Sequence, residues 1–130
     1  MPLQFEFVPE LELVLETATA VVIGAEILTV RMEEANSPEF ANCRLILTDA
    51  RAVETPSVRP EDLHRLAEFV QTRSDVYQGK RWAFLMGTAT PTGLALMLAR
   101  LFTERGILEA EVFSTMNGAC EWLGIAPLDS

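Results

Sequence analysis

A chain of 130 residues, 49% hydrophobic and free of polar tracts or repeats, suffices for one globular domain that removes roughly two thirds of its unfolded surface from water. A formal charge of -9 repels phosphate backbones and anionic lipid surfaces, and the basic residues make no stripe, because Arg59, Arg65, Arg73, Lys80 and Arg81 interleave with Glu54, Glu61, Asp62, Glu68 and Asp75. Nucleic acid and membrane partners are therefore set aside; the acidic opening and the lack of an apolar run near ~20 residues point to a cytoplasmic protein, and two distant cysteines, Cys43 and Cys120, suggest buried thiols rather than a disulfide or zinc site.

Leu3, Phe5 and Phe7 alternate with Gln4 and Glu6, and Leu11, Leu13 and Leu15 alternate with Glu12, Val14 and Glu16. This is the period of half-buried strands, and Pro9-Glu10 between them predicts a turn and an antiparallel opening pair. Thr17 or Thr19 can cap a helix whose face holds Ile23, Ile27 and Val30 and which ends at Ser37-Pro38, although Val21-Val22-Ile23 suits a strand extension equally. Leu45 to Thr48 reads as a short central strand buried on both sides.

Leu63, Leu66, Ala67 and Val70 fall at the i, i+3, i+4, i+7 spacing of one helical face. A strand over Arg81 to Met86 follows, then a helix from about Pro91 to Arg105 that stops at Gly106, a residue suited to a left-handed cap. Ala110 to Phe113 predicts the last strand, and Met116, Ala119, Cys120 and Leu123 the apolar face of the last helix. The order β-β-α-β-α-β-α-β-α predicts an α/β fold: one domain over residues 1 to 130, with a mixed, mostly parallel five-stranded sheet covered by helices.

Three segments resemble the SpoIIAA-like branch of the STAS domain superfamily, which includes the bacterial anti-sigma factor antagonists. Leu45-Ile-Leu-Thr-Asp-Ala-Arg51 is similar to that branch's hydrophobic strand ending in Asp-x-Arg. Arg81-Trp-Ala-Phe-Leu85 precedes a glycine-containing turn and a helix, and Val112-Phe113 leads to Ala119-Cys-Glu-Trp-Leu-Gly124, similar to the closing Phe and Ala-x-x-Trp-Leu. The resemblance implies the STAS fold and a regulatory, protein-interaction role. It also implies a phosphoserine switch in an Asp-Ser-x-Gly turn, but the stretch here is Asp49-Ala-Arg-Ala-Val-Glu-Thr-Pro-Ser57, which lacks that motif.

In open α/β sheets ligands collect beyond the carboxyl ends of the strands, where three predicted turns meet: Asp49 to Ser57, Gly87 to Thr92, and Ser114 to Thr115. The candidate binding residues are accordingly Asp49, Arg51, Thr55, Gly87, Thr88, Thr90 and Thr92. Gly87-Thr-Ala-Thr-Pro-Thr-Gly93 departs from G-x-x-x-x-G-K-[ST] in glycine spacing and has Leu94 where the lysine belongs, which disfavours nucleotide hydrolysis. Thr90 as N-cap, Pro91 at N1 and Gly93 packing closely on the sheet explain a helix start without a ligand, while the free N–H groups there would also accept an anion.

Asp49 has two readings, a group that orients a ligand or acts as a base, or an acceptor of hydrogen bonds from the turn that follows it, and Arg51 has two, a bidentate clamp on a carboxylate or phosphate or an ion pair with Asp49 or Glu54. The single histidine, His64, lies on the polar side of its helix, and Trp82 and Trp122 read as packing residues whose N–H needs a partner. No catalytic constellation, metal site or cofactor motif emerges. The expected function is a non-enzymatic regulatory or protein-interaction domain, with homodimerisation compatible; the alternative is a binder of a small anion or lipid-like ligand at the carboxyl edge of the sheet.

Overall fold

The computed structural model describes residues 3 to 87 and 92 to 128. Strand β1 (Leu3–Val8) pairs antiparallel with β2 (Leu13–Ile23). A 3-10 turn at Pro9–Leu11 joins them, and Glu12 takes a positive φ of 52° to reverse the chain. Helix α1 (Gly24–Asn36) leads through a second 3-10 turn at Pro38–Asn42 into β3 (Leu45–Ser57). Helix α2 (Pro60–Thr72), a one-turn helix α3 (Ser74–Tyr77), β4 (Arg81–Met86), α4 (Thr92–Arg105), β5 (Glu109–Phe113) and α5 (Met116–Leu123) complete the order.

The sheet runs β1-β2-β3-β4-β5, and every pair after the first is parallel. Each crossover adds its strand on the same side of the last, so right-handed connections carry α1, α2 and α4 over one face. That face holds the larger core, with Leu63, Leu66 and Val70 of α2 and Leu98 and Phe102 of α4. Helix α5 covers the other face, where Met116, Ala119, Cys120 and Leu123 meet Leu13, Leu45, Leu47 and Leu85. The predicted apolar faces of α2 and α5 are buried at every position named for them. Gly106 caps α4 with φ of 68°, as expected, and Gly124 closes α5 in the same conformation.

Two elements differ from expectation for one reason. Residues 17 to 23 are strand rather than helix, and α1 starts at Gly24; residues 49 to 57 are strand rather than turn. These segments are the extensions of β2 and β3 and pair with each other from Thr17 opposite Asp49 to Ile23 opposite Ser57. Thr17, Thr19 and Val21-Val22-Ile23 are β-branched and suit a pleated surface. A hydrogen-bonded neighbour of matching length then decides between strand and the alternatives. Two register shifts in this stretch place extra residues in β3.

Alternation along the strands sorts side chains between the two faces. Ile46, Trp82 and Phe84 belong to the larger core, whereas Leu45, Leu47, Ala83 and Leu85 face α5. Trp82 is fully buried in an aromatic stack, with ring centroids 6.2 Å from Tyr77, 5.1 Å from Phe84 and 5.2 Å from Phe102. Below it Lys80, also buried, donates from Nζ to the carbonyls of Phe40 and Cys43. Cys43 and Cys120 are buried in separate cores. No helix among the described residues is long and apolar enough to cross a membrane.

Candidate functional site

Of the residues picked from sequence, Asp49, Arg51 and Gly87 come together. Arg51 closes on Asp49 bidentately, from Nε to Oδ1 at 3.0 Å and from Nη2 to Oδ2 at 2.9 Å, while its backbone N–H donates to Oδ1 at 3.1 Å. Burial pushes the Asp49 carboxyl up, but the Arg51 side chain and N–H outweigh it and leave the group below its ordinary value of 3.8. With Thr17 and Ala52 the pair lines only an open depression. Of the readings of Asp49 and Arg51, the ion pair between them is the one present.

Gly87, at the end of β4, is needed for packing. A Cβ there would stand 2.6 Å from the Arg51 carbonyl oxygen and 3.1 Å from Arg51 Cα. Gly93 differs from expectation: it is exposed and a Cβ would meet nothing within 4 Å, so close sheet packing is not its role. Thr88, Thr90 and Pro91, and with them the proposed cap, lie outside the described residues. Thr55 is placed by its backbone inside β3, opposite Val21, and Thr92 by its backbone at the start of α4. Of the three turns predicted at that edge, the first is strand, the second lies largely outside the described residues, and in the third Thr115 caps α5, accepting from the Gly118 N–H at 3.1 Å.

A half-open apolar pocket of about 120 Å³ enters the larger core between the carboxyl halves of the strands and helices α1, α2 and α4. Ala18, Ile27, Ala50, Val53, Leu66 and Ala95 are among its walls. Ala50 and Val53 have opposite parity in β3, and the register shift between them is what lets both face inward. Among the described residues its walls are apolar apart from Arg31 and Thr48.

Arg31 belongs to a buried ionic cluster that sequence reasoning missed. Glu16 and Glu34 are 0% exposed and Arg31 2%. Arg31 donates from Nη1 to Glu16 Oε2 and, at 3.3 Å, to Glu34 Oε1. Thr48 donates its hydroxyl proton to Glu16 Oε1 and accepts from Trp82 Nε1 at 2.8 Å, and the Arg31 guanidinium carbon stands 4.7 Å over the Trp82 ring. The Trp82 N–H thus has the partner that its burial requires.

The two acids are shifted in opposite directions. Burial raises both, but at Glu16 the Arg31 charge and hydrogen bonds from Glu34, Arg31 and Thr48 prevail, and its carboxyl lies below the ordinary 4.5. At Glu34 burial and the neighbouring Glu16 charge prevail over Arg31, and its carboxyl is held well above that value. Glu34 therefore holds its proton to higher pH than a free carboxyl does, and Glu16 gives its proton up at lower pH. Arg31 Nε–H has no hydrogen-bond partner in the structure.

A signal for this cluster was present in the sequence. The α1 face that opens with Ile27 continues through Arg31 and Glu34 at i+4 and i+7, which puts opposite charges on a face directed at the sheet. Glu16 sits in an alternating strand pattern and is nevertheless fully buried, because β2 lies inside the sheet and α1 packs over it. The other predicted residues are where their patterns put them: His64 is exposed on α2, and Trp122 packs under Arg81, whose guanidinium carbon is 4.8 Å from the ring. No protein-family model matches this chain and its sequence finds no curated relative, so the STAS resemblance stands on the residues quoted for it.

Proposed function

We propose that this chain is a non-catalytic binding domain that holds a small, largely apolar molecule between its sheet and helices α1, α2 and α4. The observation that carries this reading is the cavity of about 120 Å³, walled by alanines and aliphatic side chains. An apolar cavity of roughly 150 Å³ is known to stay dry and bind benzene, so this one suits a single ring or a short alkyl group, not a whole acyl chain. The ligand lies within the sheet–helix layer rather than on the strand edge. Strand order that never reverses creates no crevice at the edge. What supports a non-catalytic role is that Asp49, the candidate base, is committed to Arg51.

Methyl-detected NMR with ethylbenzene tests this reading. Saturating ethylbenzene shifts the methyl resonances of Ile27, Val53, Leu66 and Leu98, and Ala95→Leu, which fills the cavity from α4, abolishes the shifts while the domain stays folded. Wild-type spectra that do not respond to ethylbenzene would overturn it.

A regulatory, protein-interaction role of the STAS type is the second reading. Leu96 of α4, 55% exposed, and Met32 of α1, 48% exposed, favour it as the large hydrophobic side chains left in solvent among the described residues. A homodimer through α4 is the simplest form. Sedimentation equilibrium tests it: a dimer that Leu96→Glu dissociates supports the reading, and a wild-type monomer at all concentrations removes this form of it.

A further inference from the structure

We infer that the ligand of the pocket is a short amphiphile, a molecule with one alkyl or aryl end and one polar end, held with the apolar end inward and the polar end at the mouth. The inference rests on the apolar-ligand reading and adds the class and direction of the ligand. Among the described residues that line the pocket, Ile27, Val58 and Met86 are half-buried, and every other is 8% exposed or less. These three pack against one buried group that includes Ala18, Ala50 and Val53, and so mark a single mouth. It opens at the carboxyl edge of the sheet, since Met86 ends β4, Val58 follows β3 and Ile27 is in the first turn of α1.

The floor lies about one helical turn deeper. Arg31 comes one turn after Ile27, roughly 6 Å along α1, and Phe84 stands on the same side of β4 as Met86, roughly 7 Å before it. At that floor Thr48 donates to Glu16 and accepts from Trp82, and Arg31 pairs with both acids. A polar group pushed there loses its water among side chains already engaged with one another, whereas a methyl group or ring gains by leaving water. A half-open pocket this shallow encloses one end of a ligand and leaves the other in solvent. The free end is therefore the polar one, because an apolar group there would stay hydrated.

The wild-type protein is titrated by NMR with straight-chain primary alcohols from propanol to octanol and with the pentanediol that carries a hydroxyl at each end. Ethylbenzene serves as the probe of the pocket itself. Affinity is expected to rise ~4-fold per methylene in the shorter alcohols and to level off once the chain reaches the floor. In bound n-pentanol the terminal methyl should show intermolecular NOEs to Thr48 and Phe84, and the methylene next to the hydroxyl to Ile27, Val58 and Met86. The diol should bind at least ~10-fold more weakly than n-pentanol, because one hydroxyl is forced to the floor. NOEs in the reverse sense, or a diol that binds as tightly as n-pentanol, overturn the inference and leave the pocket reading intact. An affinity that keeps climbing to octanol overturns it as well, since the whole ligand would then be enclosed. If ethylbenzene binds and no alcohol does, the inference falls alone; if ethylbenzene also fails, the pocket reading falls with it.

Discussion

Arg31 of α1 and Glu16 of β2 form an ion pair whose side chains are 3% and 0% exposed. Desolvating both charges costs several kcal/mol each, and their attraction offsets this only while both are present. Arg31→Met therefore leaves a buried carboxylate uncompensated and is expected to cost about 3–5 kcal/mol in urea unfolding. The triple variant Glu16→Leu, Arg31→Met, Glu34→Leu removes the desolvation with the attraction and should be at least as stable as the wild type, by up to ~4 kcal/mol.

Glu34 gives stability a pH dependence of definite sign. Its folded value lies well above the ordinary 4.5, so as pH rises past 4.5 the unfolded chain releases a proton that the fold retains. Stability then falls with pH until the folded group also ionises, with a slope of at most ~1.4 kcal/mol per pH unit. Glu16, held below 4.5, acts oppositely: its contribution is present above that value and is lost as pH falls through the folded one. Glu34→Gln keeps a neutral donor beside Glu16 and has no proton to lose. Its stability relative to wild type should rise with pH above 4.5, as urea midpoints across that window will report.

Asp49 and Arg51 predict a smaller effect. The pair is partly exposed, so Asp49→Asn should cost about 0.5–1 kcal/mol at neutral pH. Because the folded group is held below 3.8, that cost disappears as pH falls through the folded value. Guanidinium unfolding would mask the ion pair; urea melts at low salt reveal it. Ethylbenzene binding is expected to be unchanged.

Two glycines, one just after β4 and one in α4, should respond in opposite directions. Gly87→Ala drives a methyl to 2.6 Å from the Arg51 carbonyl, between β3 and β4, and is expected to cost about 1–3 kcal/mol. Gly93→Ala meets nothing within 4 Å and improves helix propensity in α4, which should add about 0.5–1 kcal/mol. Thermal melts of the two variants give the comparison directly.

The order of the five strands and of every helix but the one-turn α3 was legible in the sequence, because local period carries that information. The burial of Leu63, Leu66, Ala67 and Val70 along α2, the apolar face of α5 and the left-handed glycine at 106 follow from residues a few positions apart. Only the tertiary structure decided where β2 and β3 end. Residues 17 to 23 and 49 to 57 have local alternatives of similar free energy, and each is fixed as strand by pairing with the other across the sheet. The same non-local assembly decided the site. Asp49 and Arg51 were visible as a motif but satisfy each other. Glu16, Arg31 and Glu34 lie on two elements, and their burial depends on β2 being covered by α1. The sequence by itself determined the elements, since a helix or strand face is set by neighbours in the chain. Which charges were shut away from water depended on faces meeting only after folding.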